Sequence, residues 1–269
     1  MRLGICTIQR NRGKWLKEWV IFHHLVGFRN FYIYLHKCTD NSKNIVAELQ
    51  KNFNIQSFEI SEDTLRPQLV AYQHAYLEYG HSVDWMAFID GDEFLFPSTS
   101  NSIIDVLMEY QYEKISALGV YWQCFGSSGH NSDPNGFIIE DYQYRANLDF
   151  IENRHIKSIV KGGQGSHFST TYNSHIFKTI YGTYDELMRP IDKGRMDEYE
   201  PSYKKLIINH YVCQSYEFFK SFKQNSGSAD AGAESIRSSD WWTKHDRNDV
   251  LDDSIKRFLP DLRSYQLNM

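Results

Sequence analysis

The 269-residue chain is poor in the features that mark several common functional classes. Its four cysteines, Cys6, Cys38, Cys124 and Cys213, include no C-x-x-C pair, so neither a redox motif nor a cysteine zinc site is written in the sequence. Two of them fall inside apolar strand-like runs, as reduced, buried thiols do in a reducing compartment. No stretch approaches the ~18 consecutive apolar residues of a membrane span. No signal-like segment opens the chain, because Met1-Arg2-Leu3 leads straight into a strand pattern. A cytoplasmic location is therefore expected, with at most peripheral contact at the inner face of a membrane. Lysine and arginine number 29 against 34 aspartate and glutamate, and no long basic stripe occurs, which argues against a nucleic-acid partner. Internal repeats and low-complexity linkers are missing too, so residues 1–269 are expected to form one domain.

What is plentiful is aromatic: 18 Tyr, 17 Phe and 6 Trp. Such side chains suit a carbohydrate-handling surface, and they equally suit an aromatic core. The first half alternates two periods. Residues 3–8 form an apolar strand pattern, and Trp15, Trp19, Phe22 and Val26 then recur at helical spacing before Gly27. Phe31-Tyr32-Ile33-Tyr34-Leu35 is too continuously apolar for a half-exposed hairpin, which places it centrally. Asp40-Asn41-Ser42 offers N-cap residues to a helix through Ile45 and Leu49. Residues 55–60 read as a third strand, Pro67 as a helix start, and residues 83–89 as a fourth strand ending at Asp90. Strand and helix in alternation imply an α/β, mostly parallel sheet with helices on both faces. Residues 9–12, 36–40, 61–66 and 90–93 all follow strands and share one rim, where ligands of such sheets bind.

The second half is less regular. Residues 115–125 read as a long strand, and 137–144 as an alternating one. Residues 174–178 and 206–211 read as short strands. From Gln214 onward the pattern is helical and polar. Phe218, Phe219, Phe222, Trp241 and Trp242 form a stripe that either packs internally or docks on a membrane or partner.

The sharpest chemical feature is Ala87-Phe88-Ile89-Asp90-Gly91-Asp92-Glu93-Phe94. An apolar strand delivers two carboxylates two residues apart, with a glycine between them that permits a tight turn. Mg²⁺ and Mn²⁺ bind through one or two such carboxylates plus the phosphates of a substrate. A D-x-D turn on a solvated loop is commonplace; at the end of a buried strand it points to a metal. His167 and His175 lack the frame of a zinc site. Gly162-Gly163-Gln164-Gly165 lacks the strand–turn–helix context of a dinucleotide loop and reads instead as a loop able to close over a donor.

Several segments, in order, resemble glycosyltransferase family 92 and its family-2-like relatives. They are Arg10-Asn11 with Trp15-Leu16-Lys17-Glu18-Trp19, His23 and Gly27; Cys38-Thr39-Asp40-Asn41-Ser42; and Phe88-Ile89-Asp90-Gly91-Asp92-Glu93-Phe94. The resemblance continues through Trp122 and Phe125-Gly126-Ser127-Ser128-Gly129-His130, Pro134-Asn135-Gly136 with Glu140, Lys157-Ser158-Ile159-Val160, and Asn209-His210-Tyr211. One departure is Arg10-Asn11-Arg12, where the family commonly has Lys-Asn-Glu. The resemblance implies a GT-A type, Rossmann-like fold with a nucleotide-sugar-binding half at 1–98, an acceptor half at 99–225 and a helical tail at 226–269. It implies a UDP-sugar donor, a Mn²⁺ or Mg²⁺ cofactor, and Asp90, Asp92 and His210 as metal ligands. Thr7, Arg10, Asn11, Asp40, Gln68, Asp90, Gly91 and Lys157 are the expected donor-site residues, Asp40 doubling as a helix cap. The implied reaction is inverting hexosyl transfer, with galactose the suggested sugar, onto a glycan such as a bacterial surface polysaccharide, or onto a lipid-linked acceptor.

Inversion needs one carboxylate to take the acceptor proton. Glu140, Asp141 and Asp133 are the local acids of the second half. If 137–144 is a strand, Glu140 and Asp141 project to opposite faces. Glu140 then shares its face with Tyr142 and Tyr144, an aromatic setting that suits an acceptor subsite. Two rival functions remain. A sugar-nucleotide nucleotidyltransferase would want a glycine-rich phosphate loop after the first strand, and Ile8-Gln9-Arg10-Asn11 has none. A non-catalytic carbohydrate-binding protein would bind glycans without a divalent metal.

Overall fold

The structure is a computed structural model that describes residues 1–163, 168–225, 227 and 237–267. The first half alternates as its periods require: β1 (Leu3–Gln9), α1 (Gly13–Leu25), β2 (Asn30–His36), α2 (Ser42–Leu49), β3 (Asn54–Ile60), α3 (Pro67–Tyr79) and β4 (Trp85–Phe88). β2 pairs with β1 and β3, and β1 with β4, all in parallel. Because strand side chains alternate, each strand feeds two cores. Phe31, Ile33, Trp85 and Ala87 meet Trp15, Trp19 and Phe22 of α1. Tyr32, Tyr34, Met86 and Phe88 meet Ala71, Tyr72, Ala75 and Tyr76 of α3 on the other face. Gly27 ends the α1 segment at a φ of +126°, a left-handed conformation that a side chain would strain.

The second half contributes β5 (Glu93–Pro97), α4 (Ile103–Glu109), β6 (Ala117–Cys124), the helical turn α5 (Ile138–Asp141), β7 (Tyr144–Arg145) and β8 (Ile156–Lys161). It continues with β9 (Phe168–Thr171), β10 (Phe177–Thr179), β11 (Thr183–Tyr184), β12 (Pro190–Ile191) and β13 (Leu206–His210). After these come α6 (Tyr216–Ser221), α7 (Ser239–His245), β14 (Val250–Leu251) and α8 (Leu259–Leu267). One sheet runs through both halves in the order β12-β11-β6-β8-β4-β1-β2-β3, with β13 joining β6 and β5. β8 lies antiparallel between β4 and β6. β6 therefore points the same way as β4, and β13 runs parallel to β6. The carboxyl ends of β1, β2, β4, β6 and β13 and the amino end of β8 thus share one rim.

α1 also locks β5. The Trp19 indole N–H donates to the Glu93 carbonyl at 2.9 Å. His23 Nε2 accepts the Leu95 N–H at 3.2 Å, so its Nδ1–H donates to the Trp19 carbonyl at 2.8 Å. Burial lowers its pKa to about 3, which keeps the ring in that neutral form.

Residues 137–144 are not a strand. Ile138 and Ile139 are both buried, an adjacency that a two-faced strand with one solvated side does not give, and they open the turn α5. Their N–H groups are taken by the buried carboxylate of Glu18, at 2.8 and 3.1 Å. The expected strand at 174–178 narrows to β10, while β5 and β8 went unforeseen. The aromatic stripe packs internally: Phe219 stacks on Trp241, and Trp241 on His245.

Glu18 yields a test of this packing. Burial pushes its pKa to about 8 from 4.5, against the two N–H bonds that oppose the rise. A folded-state pKa above the unfolded one means that folding takes up a proton. The associated stability is complete below about pH 4.5 and is lost as pH rises towards 8. The urea midpoint should therefore fall across that window, and Glu18→Gln should flatten the fall. A midpoint of equal pH dependence in both proteins would contradict it.

Candidate functional site

A cavity of about 430 Å³ opens on the shared rim. Gln9, Arg10 and Arg12 reach it from the end of β1, and His36 and Lys37 from the end of β2. Asp90, Gly91 and Asp92 follow β4, Trp122 and Cys124 end β6, Glu152 and His155 precede β8, and His210 ends β13. Gly91 lets the Gln9 side-chain amide lie against the turn, where a Cβ would push that amide aside.

The two aspartates have different surroundings. Asp90 Oδ2 pairs with Lys157 Nζ at 2.9 Å, while Oδ1 accepts from Gln68 Nε2 and, at 3.2 Å, from the Tyr72 hydroxyl. Its own N–H donates to Glu93 Oε2 at 2.9 Å. Glu93 is wholly buried, and burial pushes its carboxyl well above the usual range although Lys157 lies 3.9 Å away. Asp92 Oδ2 meets Lys223 Nζ at 2.7 Å and Arg12 at 2.9 Å. Burial alone would raise its pKa. The charges of Lys223 and Arg12 outweigh that and hold the carboxyl well below the usual range. Arg12 also bonds Gln214, and its guanidinium lies over the Phe218 ring at 4.9 Å.

Asp92 Oδ1 faces His210 Nε2 at 3.8 Å, too long for a hydrogen bond. Burial drives the His210 pKa well down, so the imidazole is neutral with a lone pair to give. Among the described residues, no group of three or more His, Cys, Asp or Glu converges on a metal position. Two protein donors with phosphate and water oxygens is nonetheless the usual way a hard divalent cation is held beside a nucleotide. The facing pair of Asp92 Oδ1 and His210 Nε2 fits such an ion, with Oδ2 of Asp92 held by Lys223 and Arg12, while both Asp90 oxygens are engaged by Lys157, Gln68 and Tyr72.

Other expected residues lie elsewhere. Thr7 is buried beneath the rim, accepting from Gln9 Nε2 at 3.0 Å. Asn11 and Asp40 are not among the residues lining the cavity. Asn11 clamps two loops, its Oδ1 accepting the Thr39 N–H at 2.7 Å. Asp40 accepts the N–H groups of Gly13 at 2.9 Å and Ser42 at 3.0 Å, and so ties the starts of α1 and α2 together. Glu140 and Asp141 also miss the cavity. With α5 a helical turn, Glu140 faces the surface and pairs with Arg263. Asp141 packs against Gly136, and Asp133 is bonded by Ser215 at 2.6 Å. His167, Gln164 and Gly165 lie outside the described residues.

The sequence pattern did not single out Lys223, Arg237, His245, Glu152 or His155, and it marked Trp241 only as part of an aromatic stripe; all six line the cavity. Arg237, Trp241 and His245 come from the segment expected to be a tail, and Lys223 from the end of the expected acceptor half.

A strand-end D-x-D turn, a facing strand-end histidine and a cationic wall thus gather on the rim of an open α/β sheet. The chain belongs to glycosyltransferase family 92, whose sequence model matches residues 2–248. A family 92 protein of Oryza sativa subsp. japonica is 26% identical over 221 residues, covering 80% of this chain and 34% of that protein. One of Ricinus communis is 28% identical over 222 residues, covering 80% and 36%. The chain thus spans about a third of the length of these curated relatives. Among solved structures, S. aureus TarS in complex with UDP is similar at a TM-score of 0.40 and 13% identity, over 60% of this chain and 47% of that one. Glucosyl-3-phosphoglycerate synthase from Mycobacterium tuberculosis is similar at a TM-score of 0.30 and 14% identity, over 45% and 44%. Likenesses so remote carry no argument about the site. Among the described residues, no helix is long and apolar enough to cross a membrane.

Proposed function

We propose that the chain moves a hexosyl group, with galactose the first candidate, from a UDP-sugar to a hydroxyl of a glycan or lipid-linked acceptor, with inversion. The observation that carries this reading is the Asp92–His210 pair facing across 3.8 Å, beside Arg12 and Lys223, on the rim of a family 92 sheet. A Mn²⁺ or Mg²⁺ ion held by Asp92 and His210 would neutralise charge on the departing diphosphate. The protein's own groups do the rest. Arg10, Arg12 and Lys223 present fixed positive charge where the diphosphate develops negative charge. Lys157 and Gln68 hold the Asp90 carboxylate in place at the turn. Trp122, packed between His155 and His210, forms the wall of the cavity beside Asp92.

Calorimetric titration of UDP, with Mn²⁺ and with chelator, tests the reading. Binding should be strong with the metal and much weaker without it. UDP release from UDP-galactose, UDP-glucose or UDP-GlcNAc, with water as acceptor, should follow the same metal dependence. His210→Ala should weaken Mn²⁺-supported UDP binding by at least ~10-fold, as the loss of support around a metal does. Unchanged binding by that variant would make His210 a packing residue only.

A further inference from the structure

Three described carboxylates line the cavity: Asp90, Asp92 and Glu152. The first two belong to the diphosphate end. Glu152 sits on a short 3₁₀ turn, Ile151–Arg154, that leads into β8. Because β8 runs antiparallel to β4, the residues before it, rather than after it, reach the rim. The turn is firmly placed. Asn153 beside it is wholly buried, its Oδ1 accepting the Cys124 N–H and its Nδ2 donating to the Asn147 carbonyl, both at 2.9 Å.

The Glu152 side chain is 14% exposed. Lys244 Nζ of α7 donates to Oε1 at 2.5 Å, and His155 Nδ1 lies 3.4 Å from Oε2. Burial pushes the carboxyl up. Lys244 and His155, with His245 of α7 behind them, more than offset this and hold it below the usual glutamate range. At neutral pH it is a charged proton acceptor. A row of rings joins it to the other end of the cavity: His155 stacks on Trp122 at 4.9 Å, and Trp122 lies 4.2 Å from His210, which faces Asp92.

We propose that Glu152 is the general base that takes the proton of the acceptor hydroxyl, with the transferred sugar lying in the cavity along the wall of His155, Trp122 and His210, between Glu152 and Asp92. This rests on the glycosyl-transfer reading. The acceptor oxygen bonds to the anomeric carbon as the bond from that carbon to the diphosphate oxygen breaks. The electron pair of that bond leaves with UDP, and the hydroxyl proton passes to Glu152 and from there to solvent. Lys244 is a positioning residue that sets the charge and orientation of the carboxylate.

The experiment measures UDP release from UDP-galactose, UDP-glucose and UDP-GlcNAc with Mn²⁺, alongside UDP affinity by calorimetry. Glu152→Gln should lower the rate by ~10²–10⁴-fold, the usual worth of a general base, and leave UDP affinity unchanged. Lys244→Met should keep the plateau rate and move the acid limb of the rate–pH profile upward, because the carboxyl loses its cation. A Glu152→Gln protein as fast as the parent overturns the assignment. So does one that loses UDP binding in step with rate, or a Lys244→Met profile with its acid limb in place. Failure of the unmodified chain to release UDP from any of the three donors instead overturns glycosyl transfer itself, and the base with it.

Discussion

Asp92→Asn should abolish Mn²⁺-dependent turnover and, at the same time, improve metal-free binding of UDP. The substitution keeps the size of the side chain and removes its charge. Lys223 Nζ and Arg12, now 2.7 and 2.9 Å from Oδ2, then face a neutral amide instead of a carboxylate. Their charge turns to the nearest anion that enters the cavity, which is the diphosphate. The rate falls for a separate reason: a divalent cation at the leaving group contributes several kcal/mol, on the order of 10³-fold or more. The opposite movement of affinity and rate is the signature to look for, with UDP titrated in chelator and UDP release followed in Mn²⁺. A variant that keeps Mn²⁺-dependent turnover would remove Asp92 from the metal site. One that binds metal-free UDP no better than the parent would show that Lys223 and Arg12 do not reach the diphosphate.

Lys157→Met should cost ~3–5 kcal/mol of stability, the range for stripping one partner from a buried ion pair. Lys157 is 1% exposed and is the cation closest to two acids, 2.9 Å from Asp90 and 3.9 Å from the wholly buried Glu93. Methionine fills most of the lysine volume, so the loss is chiefly of charge. Adding Glu93→Gln should change stability little further, because the Glu93 carboxyl, pushed up by burial, is neutral and leaves no unpaired charge, and urea denaturation of the single and double variants reads this directly. If the single variant is as stable as the parent, Lys157 serves the donor alone. A double variant no better than the single would place the whole loss on Asp90.

The residues themselves specified much of the frame. The switch between a period of two and one of 3.6 marked β1 through β4 with their helices, because each element buries a face that its own spacing defines. The apolar run into Asp90-Gly91-Asp92 placed the turn at a strand end for the same reason. The family resemblance grouped His210 with Asp90 and Asp92; the structure sets it opposite Asp92, far from it in sequence, because β13 pairs with β5 and β6. Likewise 137–144 was misread because apparent alternation ignores tertiary capture, here two N–H groups held by Glu18.

What only the tertiary structure decided is the electrostatic content of the cavity and the place of its third acid. Arg12, whose task the sequence left undefined, forms an ion pair with Asp92 in the fold. Lys223 enters because the segment after α6 folds back over the rim, an event no local propensity encodes. Glu152 reaches the cavity because β8 lies antiparallel between β4 and β6, which run the same way, so that its leading turn, and not its trailing loop, faces the rim. Local patterning sets which faces are buried. Strand order and direction then determine which charged side chains meet, since those contacts join residues far apart in sequence, from 67 positions for Lys157 and Asp90 to 131 for Lys223 and Asp92.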